Sequence, residues 1–297
     1  MLKRILRRGL RSVNNWLEAD ASRLEAELRA SADASSIYPW LNALSVKLYL
    51  ENRSLMRPAY LWGALHGAHL AKSLGIPAIS LIEFGVAGGK GLTSLDFIAQ
   101  RIESIFGLTI SAYGFDSGVG LPPPSDIRDC PNLFTAGDYP MAVGELQKRL
   151  RKARLILGDV ESTLPSFSRD KPDPIAFISF DLDYYSSTRH ALRILEADPG
   201  LLLPRVHCYF DDITGYTYSD YNGERLAMAE FNQEHTSRKI SPIYSLQHYV
   251  HRRFANDLWV HKCFMAHLFD HELYSHPDGL VKQARMDLSR VNSKATS

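Results

Sequence analysis

The sequence predicts an α/β fold, a mostly parallel sheet with helices on both faces and a final antiparallel strand pair. Three observations predict it. From Pro58 onward, short apolar runs alternate with stretches of helical periodicity. Ile175 to Phe180 is apolar without interruption, as a strand buried on both faces requires. Acidic residues cluster just after four of the apolar runs, the edge where open α/β sheets bind ligands.

The elements follow in order. A helix starts at Pro58, well suited to a first helical position, and runs through Tyr60, Leu61 and Leu65 to Leu74, where Gly75 stops it. Tyr60 and Trp62 on this helix read as core residues. Ala78 to Val86 is a strand ending in glycines, and Leu92 to Ile105 a helix. Leu108 to Phe115 reads as the second strand, with Asp116 directly after it. Leu121 to Pro124 is loop, Met141 to Leu150 a helix, and Leu155 to Leu157 a short strand before Gly158-Asp159. Ile175 to Phe180 empties into Asp181-Leu182-Asp183, a helix covers Thr188 to Glu196, and Val206 to Phe210 ends in Asp211-Asp212. Glu224 to Phe231 is the last helix. Ile243 to Val250 and Trp259 to Phe269 are the two closing strands.

At 297 residues the chain fits one domain with appendages. The expected division is a helical amino-terminal extension over 1–54, a main domain over 55–272 and a tail over 273–297. A net charge of +1 leaves no electrostatic footprint for nucleic acid, and a small-molecule partner is expected. Cys130, Cys208 and Cys263 are odd in number and widely spaced, which signals neither a disulfide framework nor a thiolate zinc site. No apolar run reaches the roughly 20 residues of a membrane span. A cytoplasmic protein is expected. Residues 1–17 form a basic amphipathic helix, with Leu2, Ile5, Leu6 and Leu10 opposite Lys3, Arg4, Arg7 and Arg8. Two readings stand: an arm packing on its own domain or on a second copy in a homo-oligomer, or a peripheral contact with an anionic membrane.

The segment Glu83 to Gly91 joins a strand to a helix, where glycines permit close backbone approach and the helix amino end favours a negative group. A Walker loop fails, because only three residues separate Gly85 from Gly89 where it needs four, and Lys90 precedes Gly91 rather than a hydroxyl. The dinucleotide pattern is out of register, since Ala87 stands two places after Gly85. What remains is the acidic-x-Gly-x-x-x-Gly form that suits the amino acid part of S-adenosylmethionine. The helix amino end, with Gly85, Gly88 and Gly89, would face its carboxylate, and Glu83 its ammonium. Asp116 would accept the ribose hydroxyls and Asp159 the adenine amino group. Taken singly, each aspartate reads as a cap or turn residue; their order along successive strands carries the argument.

The strings Ile82-Glu83 to Gly91, Phe115-Asp116-Ser117 with Gly120-Leu121-Pro122, Thr163-Leu164-Pro165, and Asp181-Leu182-Asp183-Tyr184-Tyr185-Ser186-Ser187-Thr188 resemble the macrocin O-methyltransferase family. Phe210-Asp211-Asp212 and Gly223 to Phe231 continue the resemblance, which spans about residues 55 to 235. It implies a Rossmann-like methyltransferase fold of the class I S-adenosylmethionine-dependent type, with Ser117 beside Asp116 at the cofactor. It also implies O-methylation of a hydroxyl on a small molecule or glycoside, with magnesium held by Asp183, Asp211 and Asp212 and Asp181 removing the proton. Carboxylates without cysteine or histidine are the hard oxygen ligands magnesium prefers. The six histidines between His248 and His276 lack zinc-site spacing and read as structural or solvent-facing residues on the closing strands. The Tyr-rich stretch after Asp212 and the chain after about 235 depart from the family. Two other classes stand as alternatives: an NAD(P)-dependent oxidoreductase, suggested by the glycines and Asp116, and a non-catalytic membrane-tethered binding module, suggested by the basic helix.

Overall fold

The structure is a computed structural model that describes residues 37–276 together with Ala26. The basic helix expected over 1–17, the remainder of the extension before residue 37 and the tail after residue 276 lie outside the described residues. Helix α1 (Ile37–Glu51) and helix α2 (Pro58–Ser73) precede the first strand, β1 (Ala78–Phe84). There follow α3 (Lys90–Phe106), β2 (Thr109–Asp116), α4 (Val143–Arg149), β3 (Arg154–Leu157), α5 (Val160–Arg169) and β4 (Ile175–Phe180). The chain closes with α6 (Tyr185–Leu192), β5 (Leu202–Phe210), α7 (Gly223–Glu234), β6 (Arg238–Pro242) and β7 (Cys263–Leu268).

The strand order is β3-β2-β1-β4-β5-β7-β6. Strands β1 to β5 pair in parallel, and β7 runs antiparallel between β5 and β6. This is a Rossmann-like fold, a mostly parallel sheet with helices on both faces and an antiparallel strand pair, as expected. Its order reverses between β1 and β4, the switch point at which open sheets leave a crevice. Tyr60 of α2 covers one face, packing on Phe177 and Tyr209 at 5.4 and 5.6 Å. Phe167 of α5 covers the other, edge-on to Phe115 at 5.2 Å.

Four strands end alike. Phe115, Phe84, Phe180 and Phe210 stand in one row of the register, with ring centroids 4.8, 5.6 and 4.6 Å apart, and Phe264 of β7 extends the row at 5.2 Å. The first four are at most 1% exposed. Just beyond the row, the amides of Gly85, Asp181 and Asp211 donate to the carbonyls of Phe115, Phe84 and Phe180 at 2.9, 2.9 and 3.0 Å. The backbone after Phe84, Phe180 and Phe210 is thus fixed to the neighbouring strand.

Local chemistry explains most boundaries. Pro58 opens α2, and α3 runs between Gly89 and Gly107, both in the left-handed region. The carboxylate of buried Asp96 on α3 accepts three successive amides, Arg151, Lys152 and Ala153, at 2.9, 2.8 and 2.7 Å, and so places the start of β3. Helix α1 adds Leu44, Val46 and Leu48 to the same core as α2 and the sheet.

Three elements differ from expectation. Helix α5 carries Pro165 inside it, which masked its periodicity. Strand β5 begins four residues before Val206, because Pro204 interrupts its ladder: pairing with β4 passes from Leu202 to His207. The antiparallel pair is present, but its first strand is Arg238–Pro242 rather than Ile243 to Val250, which forms loop and a 3-10 turn. β6 is an edge strand with Ile240 as its one buried residue, too polar to stand out by hydrophobicity. Of the six late histidines only His267 lies on a strand. Among the described residues no helix is long and apolar enough to cross a membrane.

The seating of α2 on β4 is testable. A Cβ at Gly63 would stand 2.5 Å from the Phe177 ring, and one at Gly67 2.9 Å from the Ala176 carbonyl oxygen. Gly63→Ala is expected to lower stability by about 1–3 kcal/mol through overpacking, although alanine is the better helix former by about 1 kcal/mol. A denaturation midpoint that rises instead would show that α2 does not sit this close.

Candidate functional site

Strand β1 ends at the glycine loop, and the loop owes its shape to contacts on both sides. Gly85 has φ of +82°, and a Cβ there would fall 1.8 Å from the Asp181 carbonyl oxygen, so the ends of β1 and β4 touch backbone to backbone. Asp116 grips the loop from the other side. Its Oδ2 accepts the Val86 and Ala87 amides at 2.8 and 2.9 Å, and its Oδ1 accepts the Gly118 amide at 2.7 Å. Three of the roughly four acceptor sites of a carboxylate are thereby filled.

The loop and the strand ends enclose a cleft of about 1030 Å³. Gly85, Gly88, Asp116, Ser117, Asp159, Asp181, Asp183, Asp211 and Asp212, all singled out in the sequence, line it. Two others do not. Gly89 caps α3 and packs against Leu146 and Arg149. Glu83, expected beside a cofactor ammonium, lies beneath the loop at 1% exposure, where Tyr60 donates to its Oε1 at 2.8 Å and its Oε2 has no hydrogen-bond partner. Its burial also dictates Gly91, whose Cβ would come 1.6 Å from Oε1. Exposed Asp159 caps α5 by accepting the Glu161 amide at 2.8 Å, and the Ser117 hydroxyl donates to the Gly120 carbonyl at 2.9 Å. Tyr60 and Trp62 are core residues outside the cleft. Among the described residues no histidine lines it.

At the ends of β4 and β5 the aspartates converge. One oxygen each from Asp181, Asp211 and Asp212 lies within 4.8 Å of the others. Asp183, named with Asp211 and Asp212 as a ligand by resemblance, lines the cleft beside them but falls outside this trio; its backbone is left-handed, with φ of +63°. Asp181 accepts from Arg57 Nη1 at 3.1 Å. Asp211 accepts from the Tyr209 hydroxyl at 2.6 Å and from Lys262 Nζ at 2.9 Å. Asp212 accepts from the Tyr218 hydroxyl at 3.1 Å, and its Oδ2 is buried without a partner.

The charges divide accordingly. Burial and the neighbouring Asp211 carboxylate raise Asp181 to about 6, against the pull of Arg57. Burial and the surrounding aspartates push Asp183 and Asp212 up as well. Asp211 is the exception: burial would raise it, but hydrogen bonds from Tyr209 and Lys262 prevail and hold it below the ordinary value. Behind the trio, fully buried Glu224 accepts the Asp212 amide at 2.9 Å and the Leu182 amide at 3.4 Å, tying the two acidic strand ends together.

Arg57, Lys262, Tyr218 and Glu224 were not picked out as site residues in the sequence. Arg57 reads only as the residue before a helix-opening proline, and Lys262 comes from the far side of the antiparallel strand. The sequence does repeat Phe-Gly or Phe-Asp at four strand ends, at Phe84, Phe115, Phe180 and Phe210, and that repeat marks the level of the cleft floor.

Burial pushes the Glu83 carboxyl from its ordinary 4.5 up to about 8. A raised acid stabilises the fold fully below its unfolded value, and that contribution is lost as pH rises through the folded value. Glu83→Gln, which cannot ionise, is therefore expected to gain thermal stability over the parent as pH rises from 5 to about 8, with the gap level above that. A gap independent of pH would show that Glu83 is charged throughout.

No family model matches the chain, and no curated protein matches it. Solved structures do resemble it. CalS11, a calicheamicin methyltransferase, is 24% identical over 71% of this chain and 82% of its own, with a TM-score of 0.46. The O-methyltransferase NovP is 17% identical over 60% of this chain and 72% of its own, with a TM-score of 0.42. An O-methyltransferase from Bacillus cereus in complex with SAH is 12% identical over 73% of this chain and 89% of its own, with a TM-score of 0.36.

Proposed function

We propose that the chain is an S-adenosylmethionine-dependent O-methyltransferase that acts on a hydroxyl of a small molecule or glycoside, assisted by magnesium. One observation carries the reading: a single cleft holds the glycine loop with Asp116 on one side and three converging carboxylates on the other. At about 1030 Å³ it is at the upper end of small-molecule sites, with room for cofactor and acceptor together.

The trio suits a hard cation. It offers oxygen donors alone, and the buried, partnerless Oδ2 of Asp212 is a ligand atom with nothing else to bind. Asp181, Asp211 and Asp212 would hold magnesium. When bound, the ion supplies acidity to an alcohol that is otherwise about as weak an acid as water, with a pKa of roughly 15.7. Asp183 lines the same cleft outside the trio, so it is the carboxylate left to take the hydroxyl proton. That exchanges the roles of Asp181 and Asp183 relative to those implied by family resemblance. Asp116 and the loop orient the donor, Phe134, Tyr139 and Tyr218 border the remaining space, and the phenylalanine row beneath keeps water from the floor.

Calorimetry with S-adenosylmethionine and S-adenosylhomocysteine tests the reading, and binding of neither would overturn it. Methyl transfer from labelled cofactor to hydroxylated glycosides is expected to require magnesium and to stop with a chelator. Asp211→Asn is expected to lower turnover by about 100-fold or more while cofactor affinity stays within about threefold. Loss of cofactor affinity with turnover intact would remove the metal role.

A further inference from the structure

Resting on the cofactor reading above, we infer that Arg57 takes the carboxylate of the cofactor's methionyl end. Among the described residues, seven aspartates line the cleft, and its cations are Arg57 and Lys90. An anionic group entering that field needs one of the two. Lys90 is exposed, at the first position of α3. Arg57 is fixed in place. Its backbone amide donates to Ser94 Oγ at 2.9 Å, its Nη1 donates to the Tyr60 hydroxyl at 3.0 Å and to Asp181 at 3.1 Å, and its guanidinium lies 5.1 Å from the centre of the Tyr60 ring.

The other donors a carboxylate could use, the amides of the glycine loop, are partly taken. The Val86 and Ala87 amides are committed to Asp116, and the Gly89 amide donates to the Val86 carbonyl at 2.8 Å. The protein's own carboxylate thus occupies two of the loop amides that the glycine motif suggests for the ligand's. Arg57 stands at the end of the cleft where the amino acid part belongs once Asp116 marks the ribose. Asp181, its partner, packs against Gly85, and Arg57 lines the cleft together with Phe84 and Gly85. The two hydrogens of Nη1 go to Tyr60 and Asp181, leaving the Nε–Nη2 edge of the fork, which matches a carboxylate in two-point fashion. Pro58 behind it fixes the helix start, so the side chain leaves from a rigid anchor.

The test is calorimetry on the full chain without acceptor, comparing S-adenosylmethionine with its decarboxylated analogue, which keeps the ammonium and the sulfonium. Losing the carboxylate makes the ligand one charge more positive, which the aspartates favour. A preference for the carboxylate must therefore come from a cation. The parent protein is expected to bind S-adenosylmethionine about tenfold or more tightly than the analogue. Arg57→Gln should weaken S-adenosylmethionine roughly 10- to 100-fold and change the analogue by less than about threefold. Arg57→Lys, with the charge but not the fork, should fall between. Equal affinity of the parent for both ligands overturns the inference even if neither variant folds, and so does an equal loss of both ligands in Arg57→Gln. Either result leaves the cofactor reading standing. A parent that binds neither ligand, nor S-adenosylhomocysteine, overturns the cofactor reading and this inference with it.

Discussion

The row of phenylalanines across the carboxyl edge of the sheet is the constraint on which the site depends. Each ring, fully buried, contributes about 1.5–3 kcal/mol, and the contact of each with the next makes the row a cooperative unit. Parallel pairing then brings every strand to the same level. Because the next residue's amide bonds to the adjacent strand, Gly85, Asp181 and Asp211 emerge at fixed positions above an apolar floor. Positions one residue later would have inverted the pattern, placing carboxylates in the core and rings in the cleft.

The floor makes the aspartates expensive. Four of them, Asp181, Asp183, Asp211 and Asp212, share a partly buried region, and the protein compensates them unevenly. Asp211 has Lys262 and Tyr209, and Asp181 has Arg57. Asp212 has one tyrosine and an unpaired oxygen. Glu224 adds a further buried carboxyl to hold the strand ends in place. Such an arrangement lowers the stability of the empty protein, and binding a cation or a cationic ligand returns some of it. The strain is electrostatic and is localised where the chemistry is proposed.

Much of the fold was legible because strands buried on both faces are continuous apolar runs: Ile175 to Phe180 is the same in sequence and structure. Helix ends were legible where glycine or proline sets them, at Pro58 and Gly75. Legibility failed where one signal concealed another. Pro165 hid α5, Pro204 hid the first half of β5, and β6 is a short edge strand with a single buried apolar residue. In the cleft, the aspartates could be read because each follows a strand. Their partners could not, since Arg57, Lys262 and Glu224 reach Asp181, Asp211 and Asp212 from other elements, and such partnerships leave no local pattern. Glu83 shows the converse: an acidic residue at the expected motif position turned inward, beneath the loop it was expected to serve.

Floor and rim also differ in how freely they can change. The rings and amides that level the strand ends are locked into one core, where each substitution disturbs its neighbours. Val119 and Tyr139 at the edge of the cleft, and Tyr216 and Tyr221 in the loop that carries Tyr218, are exposed. Exchanging them costs little stability. The cleft thus pairs a fixed floor with a replaceable border, so what the cleft admits can change without rebuilding the strand ends beneath it.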